Sequence, residues 1–155
     1  YFDKKVTGGN SILRAIHYPP ITSEPKGAVR AAAHGDINLI TILMGASAEG
    51  LEIKTRNGNW IGVTALPNQV VINIGDMMSR LTNDTLHSSI HQVVNPPKKD
   101  WEKPRFSIPF FMHPRSEMSL NCLPSCVSEK NTKKYTDITA GEFLDERIKE
   151  LGLKK

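Results

Sequence analysis

The chain has 155 residues, of which 39% are hydrophobic and 23% charged, so it can form one domain with a sizeable core. This composition excludes an acidic disordered chain, and no apolar run approaches the ~18 residues of a membrane-spanning helix. The formal net charge is +4. The basic residues are scattered rather than gathered into a stripe, which argues against a nucleic-acid partner.

Alternating apolar side chains and turn residues predict a series of short β-strands, which indicates an all-β sandwich or barrel. A hairpin is predicted around Asn57-Gly58, with the type I′ turn in which both residues have a left-handed backbone. The predicted strands are residues 11–18, 29–36, 39–44, 51–55, 60–65, 70–74, 86–94 and 105–112.

The remaining segments predict loops and little helix. Residues 77–83 predict a short helical turn or loop, and residues 96–100 a loop, since they begin with two prolines. The alternation is lost after Pro114 until Thr139, which forms a capping-box pattern with Glu142 ahead of apolar residues at helical spacing. We therefore expect one amphipathic helix at the end of the chain.

The ends and the cysteines of the chain also carry expectations. The chain begins at Tyr1 rather than Met, and we interpret it as a fragment of a longer protein. Its two cysteines, Cys122 and Cys126, are too few for a disulfide scaffold and lack the second pair that a zinc site needs. A reducing, cytoplasmic compartment fits this cysteine usage.

His34 and Asp36 are candidate metal ligands, because residues i and i+2 of a strand point to the same face. A site needs a third ligand, and four histidines could supply it: His17, His87, His91 and His113. His91 lies in the predicted strand 86–94, but His87 shares its parity, so spacing alone does not choose between them. Two histidines and one carboxylate form the facial triad of non-haem Fe(II) sites, which leaves positions open for a co-substrate and dioxygen.

A second pair of side chains is suited to binding a carboxylate. Arg105 and Ser107 begin the last predicted strand and share one of its faces. The guanidinium fork and the hydroxyl can together clamp an anionic group.

Four segments, in order and within roughly residues 11–114, resemble the isopenicillin N synthase-like group of Fe(II)/2-oxoglutarate-dependent oxygenases. They are HGDINLITIL (34–43), VINIGD (71–76), SSIHQVV (88–94) and RFSIPFF (105–111). The resemblance implies a mainly β fold, a double-stranded β-helix (jelly roll, cupin-like), with iron at its open end. It implies His34, Asp36 and His91 as the metal ligands and as the catalytic centre, and it leaves His87 at a variable rim position.

The same resemblance implies where 2-oxoglutarate binds. Arg105 and Ser107 would hold its distal carboxylate, and Tyr18, which precedes a proline pair on the first core strand, would assist. Ile16 stands where many relatives have Asn, and an isoleucine side chain cannot make the hydrogen bonds of an asparagine.

The implied function is an enzyme that uses Fe(II), 2-oxoglutarate and O2 to oxidise a small molecule by hydroxylation, desaturation or ring formation. Succinate would be the second product. Three alternatives stay open: an Fe(II)/O2 oxidase that does not use 2-oxoglutarate, as in isopenicillin N synthase or 1-aminocyclopropane-1-carboxylate oxidase, a non-catalytic β-helix binding module, and a nucleic-acid demethylase of the same fold.

The expected organisation is one catalytic domain over residues 1–155, with the β-helix core at about 11–114 and a C-terminal extension with a helix at 115–155. The helical N-terminal region of the family is expected to be absent, which would leave apolar surface exposed. We expect a small-molecule substrate, no nucleic-acid or membrane partner, and a monomer or homodimer.

Overall fold

The computed structural model describes residues 1–64, 66 and 68–153 and shows two antiparallel sheets with few helices. The larger sheet has the strand order β1-β9-β4-β7, with β2 also paired to β9, and the smaller sheet has the order β3-β8-β5-β6. From β3 onward the chain alternates between the sheets except at the β5-β6 hairpin, and the architecture is that of a double-stranded β-helix. The elements are α1 Asp3–Val6, β1 Ile12–Leu13, β2 Ile16–Tyr18, β3 Ala31–His34, β4 Ile40–Met44, β5 Leu51–Lys54, β6 Trp60–Gly62, β7 Val70–Ile74, α2 Asp76–Leu81, β8 His91–Val93, β9 Arg105–Met112 and α3 Ala140–Glu150, with 3-10 turns at Lys98–Asp100 and Pro124–Cys126.

The first predicted strand, 11–18, is divided into β1 and β2, and Pro109 of β9 explains the break. Arg14 donates its backbone N–H to the Pro109 carbonyl. Any other residue at position 109 could donate its own N–H to the Arg14 carbonyl in return, but proline has no N–H. The ladder is therefore interrupted between the two short strands, and both still pair with β9.

The predicted strand 86–94 is wrong over its first half, because only His91–Val93 form β8. Ser89 does not continue this strand, because it is hydrogen-bonded to Ile74. Its backbone N–H donates to the Ile74 carbonyl, and its hydroxyl oxygen accepts from the Ile74 N–H. His87 thus lies outside the strand, so its even spacing from His91 does not place the two side chains on the same face. The strand predicted over 29–36 ends at His34, and the end of the strand predicted over 60–65, at Ala65, falls outside the described residues.

The hairpin at Asn57-Gly58 is confirmed, but its turn type is not the predicted one. β5 and β6 pair in register from Glu52 with Gly62 to Lys54 with Trp60. Gly58 has a φ of +84°, whereas Asn57 is not among the described residues with positive φ. Together with the hydrogen bond from Gly58 N–H to the Thr55 carbonyl, this is a type I turn followed by a left-handed glycine.

Two clusters of buried apolar side chains stabilise the fold. The smaller lies between the sheets and consists of Leu43, Leu51 and Val93. The larger joins α2 to the C-terminal extension and consists of Leu39, Met77, Met78, Leu81, Met118, Leu120, Ala140 and Phe143. The predicted C-terminal helix is α3, and both hydrogen bonds of its capping box, between Thr139 and Glu142, are formed.

The two faces of the larger sheet differ sharply. Along β9 the side chains of Arg105, Ser107 and Pro109 are buried between the sheets, while Phe106 and Ile108 point outward and are exposed. Exposed apolar side chains also occur at Met44, Val70 and Ile72 in the neighbouring strands. The outward face of the larger sheet therefore carries exposed apolar side chains. Among the described residues, the helices are all too short or too polar to cross a membrane.

Candidate metal centre and co-substrate site

His34, Asp36 and His91 lie together at one end of the space between the sheets. His34 is the last residue of β3, and its backbone pairs with His91, the first residue of β8. Asp36 follows two residues later, in the loop that leads to β4. One ligand atom from each of the three side chains lies within 4.8 Å of the others, and this is a group that could hold a metal ion.

Backbone carbonyls fix how the two imidazoles present their nitrogen atoms. The Nδ1 atom of His34 lies 2.7 Å from the Ala32 carbonyl oxygen, and Nδ1 of His91 lies 2.9 Å from that of Ser89. Because a carbonyl oxygen only accepts, Nδ1 must carry the proton in each ring. In the tautomer with the proton on Nδ1, each ring offers the lone pair of Nε2, which is the arrangement that metal-ligating histidines use.

The two Nε2 atoms converge on one oxygen of Asp36. The distances to Asp36 Oδ1 are 4.0 Å from His34 and 3.9 Å from His91. These distances are too long for hydrogen bonds. An ion at the ~2.0–2.2 Å typical of nitrogen and oxygen ligands would fit among the three atoms with small side-chain movements. The donor set therefore suits a divalent ion, and two histidines with one carboxylate are the set used by non-haem Fe(II) oxygenases.

Burial differs among the three side chains. The Asp36 and His91 side chains are 6% and 10% exposed, whereas that of His34 is 47% exposed. The group is therefore anchored in the protein interior and open on the side of His34.

Arg105 places a buried cation in the same space. It is 2% exposed, its Nε donates to the Ala48 carbonyl, and the guanidinium lies 5.2 Å from the centre of the Tyr18 ring. Among the described residues, it forms an ion pair with none. Burial lowers the pKa of the Arg105 guanidinium, although the neighbouring Tyr18 acts in the opposite direction and raises it. A buried, unpaired cation is costly, and an anionic ligand would offset that cost.

One cavity connects both groups. It has a volume of about 160 Å³, and its walls contain His34, Asp36 and His91 as well as Tyr18, Arg105 and Ser107. The six residues that the resemblance implies for the metal and co-substrate sites thus line a single space between the sheets. The structure does not place His87 in this cavity.

A second and larger cavity adjoins the metal-ligand group on the outside. Its volume is about 900 Å³, and it extends from His34 and Asp36 to α3. Leu144, Ile148 and Leu151 give it an apolar wall. Arg14 lines both cavities, and within the described part of the chain its guanidinium has no hydrogen-bonding or ionic partner.

The other two candidate histidines do not belong to the group of three ligand atoms. His17 is stacked on Phe106 with ring centroids 4.7 Å apart. His113 lines the larger cavity, where burial lowers its pKa although the Asp36 carboxylate favours its protonated form.

The sequence reasoning missed two buried polar residues beside Asp36. Thr41 donates a hydrogen bond to Asp36, and Asn38 donates one to Thr41. The available signal was the position of Thr41 between Leu39 and Leu43, since a polar side chain on the inward face of a strand needs a polar partner.

Comparison with known proteins gives concordant matches. Residues 9–114 match the family model of the 2OG-Fe(II) oxygenase superfamily. The chain is 33% identical over 147 residues to the 2-oxoglutarate-Fe(II) type oxidoreductase hxnY of Emericella nidulans, an alignment that covers 93% of this chain and 41% of the relative.

Solved structures give the same result. A 2OG-Fe(II) oxygenase family protein from Caulobacter crescentus is 48% identical with a TM-score of 0.89, and the match covers 97% of this chain and 48% of that one. T7H of Neurospora crassa, in complex with alpha-KG and thymine, is 39% identical with a TM-score of 0.87, covering 97% of this chain and 47% of that one. The chain thus spans less than half the length of these relatives.

Proposed function

The chain belongs to the 2OG-Fe(II) oxygenase superfamily, and we propose that it forms the catalytic centre of an enzyme that oxidises a small organic molecule with Fe(II), 2-oxoglutarate and O2. The oxidation is a hydroxylation, a desaturation or a ring formation, coupled to decarboxylation of 2-oxoglutarate to succinate.

His34, Asp36 and His91 are the proposed metal ligands. Support comes from the two Nε2 lone pairs that face Asp36 Oδ1, and from the carbonyl groups that fix both rings. When bound, Fe(II) and 2-oxoglutarate supply the activation of dioxygen that the protein's own side chains lack. The protein contributes ligands, orientation and a partly enclosed space.

The observation that carries the proposal is the buried Arg105 guanidinium in the same cavity as the ligand group. A dicarboxylate that reaches the metal with one end would place its other carboxylate against a cation that has no acidic partner among the described residues. Arg105 would bind that carboxylate through its fork, and Ser107 would donate its hydroxyl proton. Tyr18 lies against the guanidinium and would restrict its orientation.

The larger cavity is the proposed site of the organic substrate. It opens directly onto His34 and Asp36, so a molecule bound there would present a C–H bond to the metal site. Its apolar wall favours a small molecule with an apolar part. Arg14, whose guanidinium has no partner within the described residues, favours a carbonyl or carboxylate acceptor on that molecule. Thymine, which is present in the Neurospora T7H complex, has carbonyl acceptors and is a suitable first probe.

The organisation and the location of the chain form part of the same proposal. We treat residues 1–155 as one catalytic domain with a core at about 11–114 and an extension at 115–155. Packing of Met118 and Phe143 against α2 supports the inclusion of the extension. The free thiols of Cys122 and Cys126 support a reducing, cytoplasmic location, and we propose a monomer or homodimer without nucleic-acid or membrane partners.

The test is the stoichiometry of 2-oxoglutarate turnover. With Fe(II), O2 and a panel of small molecules that includes thymine, we expect succinate and CO2 in equal amounts and stimulation by a substrate. Oxidation of a substrate without consumption of 2-oxoglutarate would instead identify an oxidase that uses only Fe(II) and O2. If the protein shows neither turnover nor Fe(II) binding, a non-catalytic binding module is the better interpretation.

A further inference from the structure

We infer that Thr41 and Asn38 hold Asp36 as a ligand that offers only one oxygen to the metal, and so keep a coordination position open for the co-substrate. This inference rests on the proposed function, because it assigns positioning roles to residues behind a proposed ligand.

The evidence is a continuous chain of buried hydrogen bonds. The Thr41 hydroxyl lies 2.6 Å from Asp36 Oδ2, and Asn38 Nδ2 lies 2.9 Å from the Thr41 hydroxyl. Asp36, Thr41 and Asn38 are 7%, 3% and 0% exposed. Since water has little access to these side chains, they serve mainly as hydrogen-bonding partners for one another.

The direction of each hydrogen bond follows from the chemistry of its atoms. The Asn38 amide nitrogen can only donate, so the Thr41 oxygen accepts from it. The single hydroxyl proton of Thr41 is then left for Asp36 Oδ2, which as a carboxylate oxygen accepts. The two bonds thus support each other, and Asn38 fixes the rotation of the Thr41 hydroxyl.

Close packing holds Asn38 in place. A Cβ atom at Gly75 would lie 2.1 Å from the Asn38 carbonyl oxygen and 2.5 Å from Asn38 Oδ1, so only glycine permits this approach. The Asn38 carbonyl oxygen also accepts from the backbone N–H of Met77 in the first turn of α2. Asn38 is therefore fixed by the start of a helix rather than by the metal site itself.

The two oxygens of Asp36 consequently have separate roles. Oδ2 is occupied by Thr41, whereas Oδ1 faces the Nε2 atoms of His34 and His91. A carboxylate free to rotate could approach an ion with both oxygens and fill one further position. In a site that must also take the two donor atoms of a 2-oxo acid and dioxygen, that position is needed.

The experiment compares Thr41→Val, which removes the hydroxyl at nearly constant shape, with Thr41→Ser, which keeps it. Thr82→Val is the matched control, since Thr82 is also buried and hydrogen-bonded but belongs to the end of α2, away from the ligands. The readouts, all measured anaerobically, are the Fe(II) dissociation constant without co-substrate, the dissociation constant of 2-oxoglutarate from the Fe(II)-loaded protein, and the visible absorption band of the complex with both. Thermal unfolding of the metal-free protein reports folding separately.

We expect Thr41→Val to weaken the binding of 2-oxoglutarate to the Fe(II)-loaded protein about 10-fold or more, because the second oxygen of Asp36 can then take the position that the co-substrate needs, while Fe(II) binding without co-substrate is retained. It should also shift or weaken the visible band, while Thr41→Ser and Thr82→Val resemble the wild type. Wild-type 2-oxoglutarate affinity and band in a folded Thr41→Val protein would overturn the inference and leave the proposed function intact, and so would loss of Fe(II) binding in that variant alone. Equal loss of 2-oxoglutarate binding in Thr82→Val would also overturn it, since the effect would be structural. Absence of Fe(II) binding in the wild type would instead refute the proposed function.

Discussion

Replacement of Arg105 by Lys tests whether the buried cation binds the distal carboxylate of 2-oxoglutarate. The substitution keeps a positive charge but removes the planar fork that can bind both oxygens of a carboxylate. The side chain also loses the hydrogen bond from Nε to the Ala48 carbonyl, which sets its orientation. We therefore expect weaker binding of 2-oxoglutarate even though the charge is conserved.

The magnitude follows from the burial of the site. Arg105 is 2% exposed, so water cannot replace a lost contact. A hydrogen bond to a charged group contributes about 1.5–3 kcal/mol. Loss of one such bond corresponds to a dissociation constant for 2-oxoglutarate that is roughly 10- to 150-fold higher.

Anaerobic calorimetric titration of 2-oxoglutarate into the Fe(II)-loaded protein measures this constant directly. Arg115→Lys is the control, since the Arg115 guanidinium pairs with Glu117 on the surface, and it should bind like the wild type. The Fe(II) affinity of Arg105→Lys before addition of the co-substrate should be unchanged. If Arg105→Lys binds 2-oxoglutarate as tightly as the wild type, the assignment of Arg105 to the carboxylate is wrong.

Three further predictions concern the C-terminal extension and its attachment to α2. Thr139→Ala removes the capping box of α3 and should lower the free energy of unfolding by about 1 kcal/mol in urea titrations, whereas an unchanged value would mean that the cap is not formed. Asn83→Ala should lower the free energy of unfolding by about 2–3 kcal/mol, because the buried Asn83 amide donates to carbonyls of the extension, among them that of Asn131. A decrease well below about 1 kcal/mol would contradict this prediction. Burial and the Asp84 hydrogen bond raise the pKa of Tyr135 to about 12, so the unfolded chain should ionise first and stability should fall between about pH 10 and pH 12. Tyr135→Phe should reduce that fall, and an identical pH profile would refute the assignment.

Much of the fold follows from local patterns in the sequence. The alternation of side chains along 105–112 predicts β9, because a strand between core and surface must alternate. The capping-box pattern at Thr139 predicts the start of α3, because its hydrogen bonds are local. The proximity of His34 and Asp36 follows from their spacing, although Asp36 lies beyond the strand.

The errors come from interactions between distant segments. The interruption between β1 and β2 depends on Pro109, about a hundred residues away, and only strand pairing brings the two together. His87 and His91 could not be separated by parity, because the contact of Ser89 with Ile74 ends the strand between them. The position of Thr41 on the inward face of a strand is visible in the sequence, but its hydrogen bond to Asp36 and the hydrogen bond from Asn38 to Thr41 are seen only in the folded structure.

The central claim is that one cavity holds Fe(II) and 2-oxoglutarate together. The most direct measurement is the visible spectrum of the anaerobic protein with Fe(II), with 2-oxoglutarate and with both. We predict a visible absorption band only when both are present, retained in His87→Ala, whose side chain is exposed outside the cavity, and lost in His91→Ala. Absence of the band in the wild type, or its persistence in His91→Ala, would contradict the claim.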